Sequence, residues 1–222
     1  LLLSNIGEPY NPATGKGIIG RNYTDHHTIL GATGYFDDKK FNSFIGTGAW
    51  GSAYNDFNAD NFDHSGLDFI HGGQIEMHLM GNEPIANNPV PPGTPSWGKE
   101  FKEKSLHYYH RTLSVVSQRA FLPYKENFLS LDPTYKDENG DALLRVTFDY
   151  DEMDFKRQEF LSGKCVELLE TMGATSVVAH PMAEHFGGRF TFQHDAGGAI
   201  MGSNPAESAV NNYFSQINIS AI

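Results

Sequence analysis

Chemistry in this chain centres on a histidine followed by small residues. The run Phe192-Gln193-His194-Asp195-Ala196-Gly197-Gly198-Ala199-Ile200-Met201-Gly202 carries an imidazole out of a strand-like stretch into backbone without bulky side chains. An imidazole titrates near neutrality and is the side chain best suited to take a proton from a hydroxyl. Glycines beyond it let backbone N–H groups approach a bound cofactor. His194 is therefore the candidate base. Other clusters fit their chemistry less well. Asp56-Phe57-Asn58-Ala59-Asp60 opens like a calcium loop, but Asn61 and Leu67 stand where that loop needs Gly and Glu. It reads as a polar loop that either hydrogen-bonds a polyol or caps its own turns. His180, His185 and His194 are five and nine residues apart, which fits no metal-ligand motif, and no metal site is expected. His107 and His110 read as surface or interhelix polar residues.

The bulk composition narrows the classes. A chain of 222 residues with 16 Phe, 10 Tyr and 23 Gly has bulky core residues and many turns, so it is globular and needs no metal or disulfide staple. With 27 acidic and 16 basic residues the formal charge is -11, which repels a phosphate backbone and disfavours nucleic acid as partner. The lone Cys165 falls on the apolar stripe of a predicted helix and reads as core. No apolar run approaches the ~20 residues of a membrane span, so no direct membrane insertion is expected. Leu1-Leu2-Leu3-Ser4 has neither a charged leader nor a cleavage site, and both ends are expected to be cuts in a longer protein.

The elements that must position His194 follow from periodicity. Residues 10 to 36 hold too many glycines for a long helix and are expected as loop and short strand. Strand is expected in Ser43–Gly51 and again in Gly66–Met80, the latter interrupted by a bulge or bend. The proline-rich stretch from Asn82 to Trp97 reads as an extended surface loop. Phe101, Leu106, Tyr109, Leu113 and Val116 predict a helix over Lys99–Ala120. Phe128–Leu131 and Leu143–Tyr150 flank a hydrophilic turn containing Gly140 and read as a hairpin. A second helix is expected from Met153 to Met172, with Leu161, Cys165, Leu168 and Met172 on one face and Gly173 as its cap. Ser176–His180 and Arg189–Gln193 are strand candidates. Strands arranged as hairpins with few helices imply an α+β class: an antiparallel sheet with helices packed on one face.

Three motifs resemble those of the glucose-methanol-choline family of FAD-dependent oxidoreductases. Leu1-Leu2-Leu3-Ser4-Asn5-Ile6-Gly7 resembles the end of that family's second signature, with Asn5 in place of Gly. Gly20-Arg21-Asn22-Tyr23-Thr24-Asp25-His26 resembles its Gly-Arg-Asn-Leu-x-Asp-His, and His194 to Gly202 resembles its His-x-x-Gly-Thr-x-x-Met-Gly, with Gly198 in place of Thr. Their order, and the separation of about 170 residues between the last two, also match. Asn11 to Asn22, Asp56 to Gly66 and Leu131-Asp132-Pro133 are similar to bacterial gluconate, fructose and related sugar dehydrogenases.

The resemblance implies three segments: residues 1–30 from an FAD-binding domain, 31–190 as a substrate-binding domain, and 191–222 as an active-site segment returning to the first. It implies oxidation of an alcohol, sugar, sugar acid or polyol by hydride transfer to FAD, with His194 as base. Gly197 and Gly198 would run close to the isoalloxazine, while Gly20, Asn22, Tyr23 and Asp25 would line the flavin. The Gly-x-Gly-x-x-Gly spacing occurs at Gly15–Gly20 and Gly46–Gly51, but neither run opens a predicted helix as the turn that holds the FAD pyrophosphate must, so these residues alone are expected to be inactive. A second active-site His or Asn would lie beyond the C-terminal residue. Implied partners are a c-type cytochrome and a small chaperone-like subunit, with a periplasmic or membrane-associated location through those subunits. The electron acceptor stays open between oxygen, a quinone and a cytochrome. Two other classes remain: a non-catalytic carbohydrate-binding module stacking sugars on Trp50, Trp97, Tyr108 and Tyr109, and a degenerate family member kept as a structural subunit.

Overall fold

The computed structural model describes residues 1–26, 30–41, 51–78, 88–187 and 194–213. In chain order its elements are β1 (Thr24–Asp25), β2 (Leu30–Tyr35), β3 (Gly51–Tyr54), β4 (Gly73–His78), α1 (Lys99–Tyr108), β5 (Thr112–Arg119), β6 (Phe128–Lys136), β7 (Ala142–Thr147), α2 (Glu152–Thr171), β8 (Ser176–Ala179) and β9 (Asp195–Ala196). The strand candidate Arg189–Gln193, residues 43–50 of Ser43–Gly51, and residues 82–87 of the proline-rich stretch lie outside the described residues. The chain divides into two compact units, one made of Leu1–His27, Phe121–Asp151 and Glu184–Ile222, the other of Thr28–Ala120 and Glu152–Ala183.

The second unit is a five-stranded antiparallel sheet in the order β3-β4-β5-β2-β8, with α2 across β2, β5 and β8. Strand β5 shows why the sheet has two unlike faces. Leu113, Val115, Ser117 and Arg119 are buried, whereas Ser114 between them is exposed, the two-residue alternation of a half-covered strand. Ala32, Phe36, Ile75, Leu113 and Val115 meet Leu161, Cys165 and Leu169 of α2 to form the core. Burial pushes the Cys165 thiol up to about 12, so it behaves as a small apolar side chain.

The expected helix over Lys99–Ala120 is corrected. It ends at Tyr108, and Thr112–Arg119 is the central strand β5. The apolar spacing that suggested one long helix includes Leu106, which is exposed, and passes over the alternation of Leu113, Val115 and Ser117. Sheet pairing on both sides of β5 outweighs a weak helical period there. The helix expected over Met153–Met172 is present as α2. It ends in a left-handed Gly173, with the Ala174 N–H donating to the Leu169 carbonyl at 3.0 Å. The bend expected within Gly66–Met80 sits ahead of β4, where Asp68 and His71 adopt left-handed backbone.

A buried cation holds that bend. Arg157 of α2 is fully buried and donates to Asp154 Oδ1 at 2.8 Å, to the Ile70 carbonyl at 2.9 Å and to the His71 carbonyl at 2.8 Å. Beside it, Arg119 Nη1 donates to Gln158 Oε1 at 2.9 Å, and the Gln158 amide donates to Ser117 and Ser162. Asp154→Ala is therefore expected to destabilise this unit by about 3–5 kcal/mol, because a buried guanidinium loses its counter-charge. Glu167→Ala, which removes an exposed partner of Lys164, should cost less than about 1 kcal/mol. Urea unfolding of both variants checks this, and equal losses would contradict it.

Candidate active site

Residues 20–26 and 194–198 meet within the first unit. Strands β1 and β9 pair antiparallel, with Thr24 opposite Ala196 and Asp25 opposite Asp195. One step outward along this register, His26 falls opposite His194, and their rings meet edge to face with centroids 5.6 Å apart. The other flank of His26 packs on Phe121 at 5.1 Å. One step inward, Tyr23 faces Gly197. The chains approach so closely here that a Cβ on Gly197, whose φ is 77°, would collide with the Asn22 carbonyl. Beyond it, the Gly20 N–H donates to the Gly198 carbonyl at 2.6 Å and the Gly198 N–H to the Arg21 carbonyl at 3.1 Å.

The antiparallel β6–β7 hairpin buttresses this pairing. The Leu129 N–H donates to the Gly20 carbonyl at 2.8 Å, and a Cβ on Gly20, at φ 91°, would strike the Leu129 backbone. The Tyr23 N–H donates to the Asn127 carbonyl at 2.8 Å, while Asn127 and Asp149 exchange two hydrogen bonds of 3.0 Å. Burial works to raise the Asp149 pKa, but the Phe186 and Tyr150 N–H groups and the His185 imidazole outweigh it and hold the carboxyl below its usual range.

Two cavities adjoin the paired segments. One of about 440 Å³ is lined by Leu2, Leu129, Leu131 and Leu144 together with Gly20, Gly197 and Gly198. The other, of about 330 Å³, shares Leu129, Leu144 and Gly197 and adds Tyr23 and Asp195. The Tyr23 hydroxyl donates to Asp195 Oδ1 at 2.5 Å. Burial is the main reason that phenol titrates above its ordinary range, followed by the Asp195 hydrogen bond and the Asp195 and Asp25 charges. Asn22 and Asp25 line neither cavity: the Asn22 amide donates to the Pro123 carbonyl, and Asp25 is fully buried. His194 is exposed at the outer end of the ladder.

The chain is 39% identical over 217 residues to the gluconate 2-dehydrogenase flavoprotein of Pantoea cypripedii, a match covering 96% of this chain and 35% of that protein. This chain is similar to a dehydrogenase flavoprotein. It is also 23% identical to the fructose dehydrogenase large subunit of Gluconobacter japonicus, over 96% of this chain and 37% of that one. The same figures hold for the 2-methyl-1,2-propanediol dehydrogenase of Mycolicibacterium austroafricanum. The chain spans about a third of the length of these relatives. No family model matches it.

Among the described residues, the remaining candidates have local partners. His180 hydrogen-bonds Thr33 at 2.9 Å, and His185 bonds Asp149 at 3.0 Å. The polar loop caps its own turns: the Asn55 carbonyl accepts from the Asn58 N–H and the Asn61 amide, and Asp63 accepts from the Ser65 N–H. Of the aromatics weighed as a sugar platform, Tyr108 packs edge-on against Tyr35 and donates to Asp37, and Trp50 lies outside the described residues. Asp195 and the walls Leu129 and Leu144 were missed in the sequence. The signal for Asp195 was present: pairing residues 22–26 antiparallel with 194–198 places it beside Tyr23.

Because Gly197 permits the chain crossing, Gly197→Ala should lose about 1–3 kcal/mol from its left-handed backbone, before any clash with Asn22 is counted. Gly163→Ala, in an α2 position with open space around it, should instead gain about 0.5–1 kcal/mol. Thermal unfolding of the pair checks the contrast, and a neutral Gly197→Ala would contradict the close approach.

Proposed function

We propose that this chain supplies the substrate-side portion of an FAD-dependent dehydrogenase of the glucose-methanol-choline type. Its reaction would be oxidation of a CH–OH group of a sugar, sugar acid or polyol. The observation that carries the reading is the pairing of residues 20–26 with 194–198, which sets His194 beside the segment expected to line the flavin. The likeness to the gluconate 2-dehydrogenase flavoprotein supports the same reading. The residues present suit a flavin ring: the apolar walls of Leu129, Leu131 and Leu144 match an aromatic face, and the Tyr23–Asp195 end offers polar atoms for its polar edge.

FAD, when bound, supplies the hydride acceptor that no side chain can provide. His194, exposed and ring-packed on His26, would take the hydroxyl proton at an imidazole nitrogen as the carbon–hydrogen bond breaks. Gly20, Gly197 and Gly198 would present backbone to the ring, and Tyr23 a phenolic edge. Asn22 and Asp25 would act from behind, by fixing the turn and the ladder. The rest of residues 31–190, outside the β6–β7 hairpin that walls the cavities, would provide the substrate-binding part. A c-type cytochrome, with a small chaperone-like subunit beside it, is the acceptor that the likeness to sugar dehydrogenases favours over oxygen or a quinone.

The test is anaerobic mixing of the complete flavoprotein with gluconate, fructose or a related polyol. The two absorption bands of oxidised flavin should bleach, and His194→Ala should slow that bleaching by roughly 10²–10⁴-fold, the usual contribution of a general base. A protein without flavin bands, or a variant reduced as fast as the parent, would overturn the reading.

A further inference from the structure

We propose that Tyr23 and Asp195 form a clasp that positions His194, making Asp195 a positioning residue of the site. The inference rests on the reading of His194 as the base. Asp195 is joined to His194 by one peptide bond, and it is tied on two sides. Its backbone pairs with Asp25 in the ladder, and its carboxylate accepts the Tyr23 hydroxyl at 2.5 Å. Tyr23 is itself fixed: it is buried, its N–H donates to the Asn127 carbonyl at 2.8 Å, and Phe148 packs on its ring edge at 6.2 Å. Asp195 is thus anchored to a rigid partner, although it is exposed and belongs to a strand of two residues.

A strand that short has little pairing energy of its own, and without the side-chain bond its end would fray. Fraying would reach His194 first, because it lies at the outer end of the ladder, where its ring rests on His26. The phenol titrates above its usual range, mainly through burial, so it remains a donor throughout neutral pH. A displacement of about 1 Å at a reacting group can cost on the order of 100-fold in rate, so a clasp here would be felt in the chemical step more than in binding.

Two measurements test this. In the apoprotein, diethyl pyrocarbonate labelling of His194, followed by peptide mass spectrometry, needs no flavin. Tyr23→Phe and Asp195→Ala should label several-fold faster at His194 than the parent, with His107 and His110 unchanged. Asp195→Asn, which keeps an oxygen acceptor, should label like the parent. In the complete flavoprotein, the first two variants should slow flavin reduction at saturating sugar, measured per bound flavin, by roughly ten- to hundredfold, leaving substrate affinity within about twofold. Asp195→Asn should restore the rate, and the Tyr23→Phe/Asp195→Ala double variant should be no slower than Asp195→Ala. Unchanged His194 labelling, losses that add in the double variant, or losses confined to FAD content would overturn the clasp. Faster labelling in variants whose flavin is reduced at the parent rate would uphold the clasp as a hold on the imidazole while removing His194 from the chemistry.

Discussion

Backbone contact without intervening side chains is the constraint on which the first unit depends. Asn22 and Gly197 approach so closely that no Cβ fits, and Gly20 and Leu129 do the same one layer away. Each of these crossings joins parts of the chain remote in sequence, and hydrogen bonds accompany them: Gly20 with Gly198, Gly198 with Arg21, and Leu129 with Gly20. The three segments therefore hold one another in register through main-chain atoms, whose bond geometry admits little slippage. Glycines that suggest room for a ligand in the sequence first make room for the chain itself. The cavities lined by Gly197 and Gly20 follow from that crossing.

Polar anchoring does for the site what apolar packing does for the sheet. Around the ladder, Asn127 and Asp149 exchange hydrogen bonds, Asn22 reaches the Pro123 carbonyl, and Tyr23 reaches Asp195. In the sheet unit, the core is a layer of Ala32, Ile75, Leu113 and Val115 beneath Leu161, Cys165 and Leu169, bordered by the buried Arg119, Gln158 and Arg157. A buried arginine paired with one carboxylate and several carbonyls contributes specificity of local shape more than net stability. Here it fixes the left-handed turn at His71 that leads into β4.

How much was legible from residues alone depended on the length and regularity of each signal. Helix α2 was readable because Leu161, Cys165 and Leu168 recur at helical spacing and Gly173 closes them, whereas the polar face that its first turns bury, Asp154, Arg157 and Gln158, was not. The β6–β7 hairpin was readable from two strand-like runs around a turn, although the bulge that accommodates Pro133 was not. The region after Tyr108 was misread because β5 carries polar Ser117 and Arg119 on its buried face, which hides a strand's alternation. His194 and the glycines near it stood out by composition. Asp195, Leu129 and Leu144 did not, since a carboxylate or a leucine in isolation is ordinary, and their part emerges only when three distant segments are paired.

The most direct test of this pairing is disulfide trapping. Thr24→Cys/Ala196→Cys places two thiols directly opposite each other in β1 and β9, within the span a disulfide bridges. Thr24→Cys/Asp195→Cys is one residue out of register, with side chains on opposite faces. The native Cys165 is buried and does not compete. Rapid cross-linking of the first pair and slow cross-linking of the second, read by the mass of the linked peptides, is the predicted result. No link in the first pair, or equal linking in both, would contradict a single fixed register.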